Sequence, residues 1–268
     1  MRPTRLILRC AVFGLGVLPA LAAQPWALSN FPLRLEFEVS NPSAVAVNTV
    51  AVVPISQAAQ TTPQAHRVSP DNPCPFLRAL VSQGQLPNGD VPLGEVARVI
   101  VEVAAAGDGK EKLPAAAVVA IALAANGLSP LQLARNALGG VTLNELRNGP
   151  LDKKGAGSGI LDAKAQVNPA ELARLDTFAS DKLDADGKTE RGLDLAEITR
   201  MMDANFERAA GRRRIIDRKL MDGEWPILLK VMGKQGKKRL YLSLKDVAEL
   251  FEERTLPERM MRRLKPKT

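Results

Sequence analysis

A mainly α-helical single domain is expected from residue 69 to the end of the chain, on three observations. Apolar residues recur at helical spacing in one segment after another, and Pro, Gly and Asn punctuate those segments. The alternation that marks a half-buried strand stands out only in a short run near the N-terminus. With 268 residues and 46% hydrophobic content, the chain carries enough apolar surface for a substantial core.

Taken in order, residues 1–22 combine basic Arg2, Arg5 and Arg9 with an apolar run from Cys10 to Leu18 and the small residues around Ala20-Leu21-Ala22. This is the layout of a secretory signal peptide, and it implies a secreted or periplasmic mature protein. The apolar run is short for a membrane span, and no later stretch resembles one. Residues 23–68 read as an extension and linker, in which Leu33-Arg34-Leu35-Glu36-Phe37-Glu38-Val39 alternates as a strand does. Pro75, with its fixed φ and missing N–H, predicts a helix beginning at or just after Cys74. Further helices are expected over residues 91–106, 114–125, 130–138, 143–148, 168–179, 193–209, 224–232 and 243–253. The run PAAAVVAIALAA, residues 114–125, is apolar on every side, which predicts a central buried helix closed by Asn126-Gly127. DKKGAGSG, residues 152–159, is a loop whose glycines lack the spacing of a phosphate loop.

Removal of a signal peptide would take Cys10 and leave Cys74 as the single cysteine, with no intramolecular partner. An unpaired thiol in an exported protein is either packed as a small apolar group or bound to something such as a metal. Loss of Arg2, Arg5 and Arg9 lowers the formal net charge from +8 to +5. The remaining excess gathers in Arg212-Arg213-Arg214, Lys237-Lys238-Arg239 and Arg262-Arg263. With aromatics at 4%, little is available to stack on bases, which weighs against nucleic-acid binding.

A cysteine at the mouth of a helix faces unpaired amide groups and the positive end of the helix dipole. Both favour thiolate over thiol and are expected to bring the pKa below the roughly 8.5 of a free cysteine. A thiolate held by N–H donors suits an axial haem ligand. A nucleophilic Cys–His pair would need the one histidine, His66, which lies in the linker and reads as an exposed residue there.

The stretch NPCPFLRALVSQGQLPNGDVPLGEV resembles the start of the secreted haem-thiolate peroxidases, the chloroperoxidase and unspecific peroxygenase family. There a Pro-Cys-Pro motif precedes an apolar helix and a Gly-containing Leu-Pro turn. DGEWPILLKVMGKQGKKRLYLSLKDVAELFEERTLP is similar to the family's closing segment. The resemblance implies a helical haem-peroxidase-type fold with haem b as cofactor and Cys74 as its proximal ligand. It also implies Glu224 as the distal acid-base residue, hydrogen peroxide as oxidant and a small organic molecule as substrate. Glu224, beside Trp225, Pro226, Ile227 and Leu228, is chemically suited to moving a proton between peroxide oxygens. Taken alone, it reads as a carboxylate at a helix start. The middle departs from the family: Leu172, Arg174 and Asp176 are kept, but Val167-Asn168-Pro169 stands where the family has Glu-His-Asp. The glutamate that would help hold magnesium and the histidine that would pair with Glu224 are both missing.

A second expectation concerns DKLDADGKTERGLDLAEI, residues 181–198, which resembles the acidic half of a calcium loop between two helices. With Gly187 sixth, Asp184 and Asp186 take positions three and five, and Asp181 lies nearby. Lys182 and Leu193, however, occupy the first and last ligand positions. A polar turn with capping aspartates fits the same residues. The alternative to an enzyme is therefore a non-catalytic member of the same fold, possibly an EF-hand-like calcium-binding protein.

Overall fold

A computed structural model describes residues 67–109, 112–153 and 155–264. The signal segment, the 33–39 strand, Cys10 and His66 lie outside the described residues. Helix α1 (Pro75–Ser82) starts with Cys74 as its N-cap and Pro75 at its first position, as the Cys-Pro pair predicts. After β1 (Asp90–Val91) come α2 (Leu93–Ala106), α3 (Ala115–Ala124), α4 (Pro130–Gly139) and β2 (Val141–Thr142). β1 and β2 pair antiparallel, Val91 opposite Val141. Gly140 makes that pairing possible: at φ +92° a Cβ would lie 2.1 Å from the Val91 carbonyl oxygen.

The second half runs through α5 (Pro169–Ala173), β3 (Ser180–Leu183), β4 (Thr189–Leu193), α6 (Leu195–Arg208), α7 (Ile215–Met232), β5 (Lys234–Gln235), β6 (Leu240–Ser243), α8 (Leu244–Ala248) and α9 (Glu258–Met261). A π-helical turn, Glu249–Glu253, continues α8. Strands β3-β4-β6-β5 form a four-stranded antiparallel sheet. The described residues are thus rich in helix but carry two antiparallel sheets that helical periodicity did not predict. Helix α7 packs against α2, α6 and β6. Around these contacts lie the fully buried Ile198, Met201, Met202, Met221, Met232 and Leu242. Among the described residues, no helix is long and apolar enough to cross a membrane.

Five expectations need correction. Helix α3 is not central: Ala122 is its single buried residue and Ile121 is 51% exposed. An apolar sequence on every side predicts burial only when neighbours cover every side, and α3 packs on α2 and α4 alone among its stronger contacts. Residues 143–148 form only a 3-10 turn, Leu143–Glu145, and residues 168–179 hold the short α5 followed by a 3-10 turn, Arg174–Thr177. Helix α7 starts well before Glu224, because Asp217 accepts hydrogen bonds from the Arg214 backbone N–H and side chain. Residues 181–193, read as a loop between helices, form the β3–β4 hairpin.

The entry to α6 is heavily bonded. Asp194 Oδ1 accepts from the N–H groups of Ala196 (3.0 Å) and Glu197 (3.1 Å), while Glu197 Oε2 accepts from the Asp194 N–H (2.8 Å). Lys182 donates to both carboxylates, at 3.1 and 2.7 Å. Burial works to raise the pKa of Asp194, but the Glu197 amide and the Lys182 ammonium outweigh it and hold the carboxyl below its ordinary range. A depressed carboxylate contributes stability above its unfolded pKa and loses it as pH falls through the folded value. Denaturant melts are expected to show stability dropping as pH goes below about 4, with Asp194→Ala costing about 1–2 kcal/mol at neutral pH.

Candidate functional site

Asn72 sets up the residue that follows Pro73. Its Oδ1 accepts the Cys74 N–H at 3.2 Å, holding Cys74 in the extended conformation (φ −82°, ψ 113°) that an N-cap requires. Pro75 offers no N–H, so the amides of Leu77 and Phe76 are the ones that face the sulfur, though neither closes a cap hydrogen bond by geometry. Cys74 is half-buried as a residue, its sulfur is the part that burial affects most, and it forms no disulfide among the described residues.

Glu224 lies mid-helix on α7, so its reading as a helix-start carboxylate is set aside. Next to it Trp225 is buried and stacks on Phe251, ring centroids 6.4 Å apart. Pro226 removes one backbone donor inside the helix. The helix nevertheless continues, because Met221, Trp225, Leu228 and Leu229 bury their side chains on either side of it. Glu224 Oε2 is ion-paired with Nζ of Lys153, whose side chain is only 12% exposed. Burial disfavours the lysine's charge, but the Glu224 carboxylate more than restores it, and the Lys153 pKa is raised.

Glu224 and Lys153 both act electrostatically on the Cys74 sulfur, so three groups from distant segments share one site. Lys153 was missed in the sequence because a lysine in a glycine-rich loop reads as a solvated charge. The expected depressed thiol pKa is corrected as well. Burial dominates and pushes Cys74 up, Glu224 adds to it, and the Leu77 amide, Lys153 and the Phe76 amide only partly offset the rise. With no metal bound, Cys74 is therefore a neutral thiol at pH 7. Alkylation of the haem-free protein by iodoacetamide should be slow at neutral pH and accelerate above about pH 8.5; a rate already at its plateau at pH 7 would contradict this.

The donor chemistry at Cys74 fits a haem iron. It offers a soft sulfur with two amides facing it and a proton that metal binding would displace. Magnesium finds no carboxylate where the resemblance would place one. Val167 and Pro169 have none to offer, and Asn168 caps α5 by accepting from the Ala170 (3.1 Å) and Glu171 (3.4 Å) N–H groups. Arg174 donates to Asn205, and Asp176 accepts from Arg191. Leu172 and Asp176 line a shallow surface cavity of about 290 Å³ that includes none of Cys74, Lys153 or Glu224.

The calcium expectation places three aspartates together, and the hairpin separates them. Asp184 Oδ1 accepts the Lys188 N–H at 2.8 Å across the turn, and its Oδ2 pairs with Lys234 at 3.3 Å. Asp181 pairs with Arg191, and Asp186 is exposed on the turn. Side chains alternate along a strand, so loop spacing does not survive in a hairpin. Among the described residues, no group of three or more His, Cys, Asp or Glu could hold a metal ion. No family model, curated protein or solved structure matches the chain.

Proposed function

We propose that the chain is an exported haem-thiolate peroxidase- or peroxygenase-like protein, of the kind typified by chloroperoxidase, that uses hydrogen peroxide to oxidise small organic molecules. The observation that carries this reading is the Cys74 sulfur at the mouth of α1, free of any disulfide among the described residues and in electrostatic reach of Glu224. When bound, haem b would supply the iron on which peroxide is activated. Cys74 would hold that iron as a thiolate, the amides of Leu77 and Phe76 moderating the sulfur's charge. Glu224 would take a proton from one peroxide oxygen and return it to the other. Lys153 anchors the Glu224 carboxylate and fixes where that proton can be taken.

The test is the absorption spectrum of the mature protein expressed with ample haem. Thiolate ligation gives a Soret band moved well to the red in the reduced, carbon monoxide-bound state. Glu224→Gln should keep that spectrum and lower peroxide turnover by about 10²-fold or more. Unchanged turnover removes Glu224 from the chemistry.

A second reading, a non-catalytic member of the same fold, is favoured by the commitment of Glu224 to Lys153 and of Asn168 to capping α5. It predicts a protein that binds haem without turning over peroxide, or binds none. Of its two forms, calcium binding has the weaker support, because Asp181, Asp184 and Asp186 point to separate partners.

A further inference from the structure

Two buried nitrogen atoms near Cys74 have no hydrogen-bond partner among the described residues: Nδ2 of the fully buried Asn72, and Nε of Arg147. Both attach to one turn. Arg78 Nη1 donates to the carbonyls of Ser69 (2.8 Å) and Asn72 (3.2 Å). The Arg147 backbone N–H donates to the Asp71 carbonyl (2.8 Å), and its Nη2 donates to those of Pro70 (3.1 Å) and Asp162 (3.3 Å). Two guanidinium groups thus grip residues 69–72 through neutral oxygens.

A third arrives from the C-terminal side. Arg254 ends the π-helical turn that packs on α1, and the Leu256 N–H two residues on donates to Gln83 Oε1 at the C-cap of α1 (3.3 Å). Arg254 sits in the left-handed region at φ 56°, a conformation that a side chain of its size rarely adopts. Among the described residues no ion pair joins a carboxylate to Arg78, Arg147 or Arg254. Burial first, then repulsion from Arg254 and Arg147, brings the Arg78 pKa down to about 10.

Guanidinium groups near enough to repel one another, without a carboxylate partner among the described residues and with water partly excluded, are costly unless an anion joins them. Guanidinium forks match the geometry of carboxylate and phosphate oxygens. We propose that Arg78, Arg147, Arg254 and Asn72 form a binding site for an oxyanion, the carboxylate or phosphate group of a small molecule, at the turn that precedes Cys74. Asn72 Nδ2 and Arg147 Nε supply the donors now without partners, and Arg254 supplies a fork with no hydrogen-bond partner among the described residues. Asn72 Oδ1 is already bonded to the Cys74 N–H, so an anion on Nδ2 would stiffen the N-cap of α1. The site stands on these contacts and does not require haem.

The experiment is thermal melting of the haem-free mature protein in sodium phosphate, acetate or chloride at matched ionic strength. The midpoint should climb with phosphate or acetate concentration beyond its value in chloride. A response to phosphate alone identifies a phosphate group, and to acetate alone a carboxylate. Arg254→Gln should weaken the apparent affinity about tenfold, the loss of one charge-assisted bond. Arg254→Gly, which suits the left-handed backbone, should do the same if the glutamine variant folds poorly. Arg98→Gln, on the exposed face of α2, should leave the response intact. A wild-type protein that responds equally to all three salts, or Arg254 variants that keep the full response, would overturn the site.

Discussion

Cys74→Ala is expected to abolish the red-moved Soret band entirely while leaving the far-ultraviolet circular dichroism of the protein unchanged. The separation of the two effects follows from the geometry. Cys74 is the sole cysteine among the described residues, so no second thiolate can replace it. Its side chain makes no cap hydrogen bond, so alanine at that N-cap removes none, and the loss of stability should stay under about 1 kcal/mol. Cys74→Ser tests the same point with a hydroxyl that is a better cap and a poor thiolate substitute. A band that persists in both variants would take the iron away from Cys74, and the proposed activity with it.

Trp225→Ala should destabilise the protein by about 3–5 kcal/mol in denaturant melts, the range for deleting a buried aromatic side chain. Trp225 is 4% exposed, stacks on Phe251 and belongs to the stretch of α7 that Pro226 has already deprived of a hydrogen bond. The stack also joins α7 to the turn that ends at Arg254. Trp225→Phe should recover most of the loss. A small effect of the alanine variant would mean that α7 is held chiefly by its other contacts.

What was legible in the sequence was local. Pro75 announces α1 because its ring imposes a helical φ whatever surrounds it, and Ser129-Pro130 announces α4 in the same way, the serine hydroxyl accepting the Gln132 N–H. What escaped depended on distant partners. The sequence reading starts a helix at Glu224, but the Arg214–Asp217 cap and the burial of Met221 and Trp225 carry α7 from Ile215 through Gly223 and Pro226. Lys153 became part of the site only because the fold lays its loop against α7. The four-stranded sheet escaped because β3 is largely exposed and β5 is only two residues long, and neither shows a strong apolar alternation. The aspartates of the hairpin turn match part of a calcium loop's spacing, with Lys182 and Leu193 at its first and last positions as the local sign against it, and in the fold Asp184 pairs with Lys234.

The chain has a single tyrosine, and the sheet encloses it. Tyr241 is 1% exposed and donates its hydroxyl hydrogen to Glu190, which also accepts from Lys234 and Ser243. Burial and the neighbouring carboxylate raise its pKa above the ordinary phenol range. A phenol of this kind stays neutral in the intact sheet and ionises near its usual value of about 10 once the sheet opens. Alkaline tyrosinate absorbance therefore gives the protein a built-in optical gauge of β-sheet integrity, read with no added label and undisturbed by any other phenol in the chain.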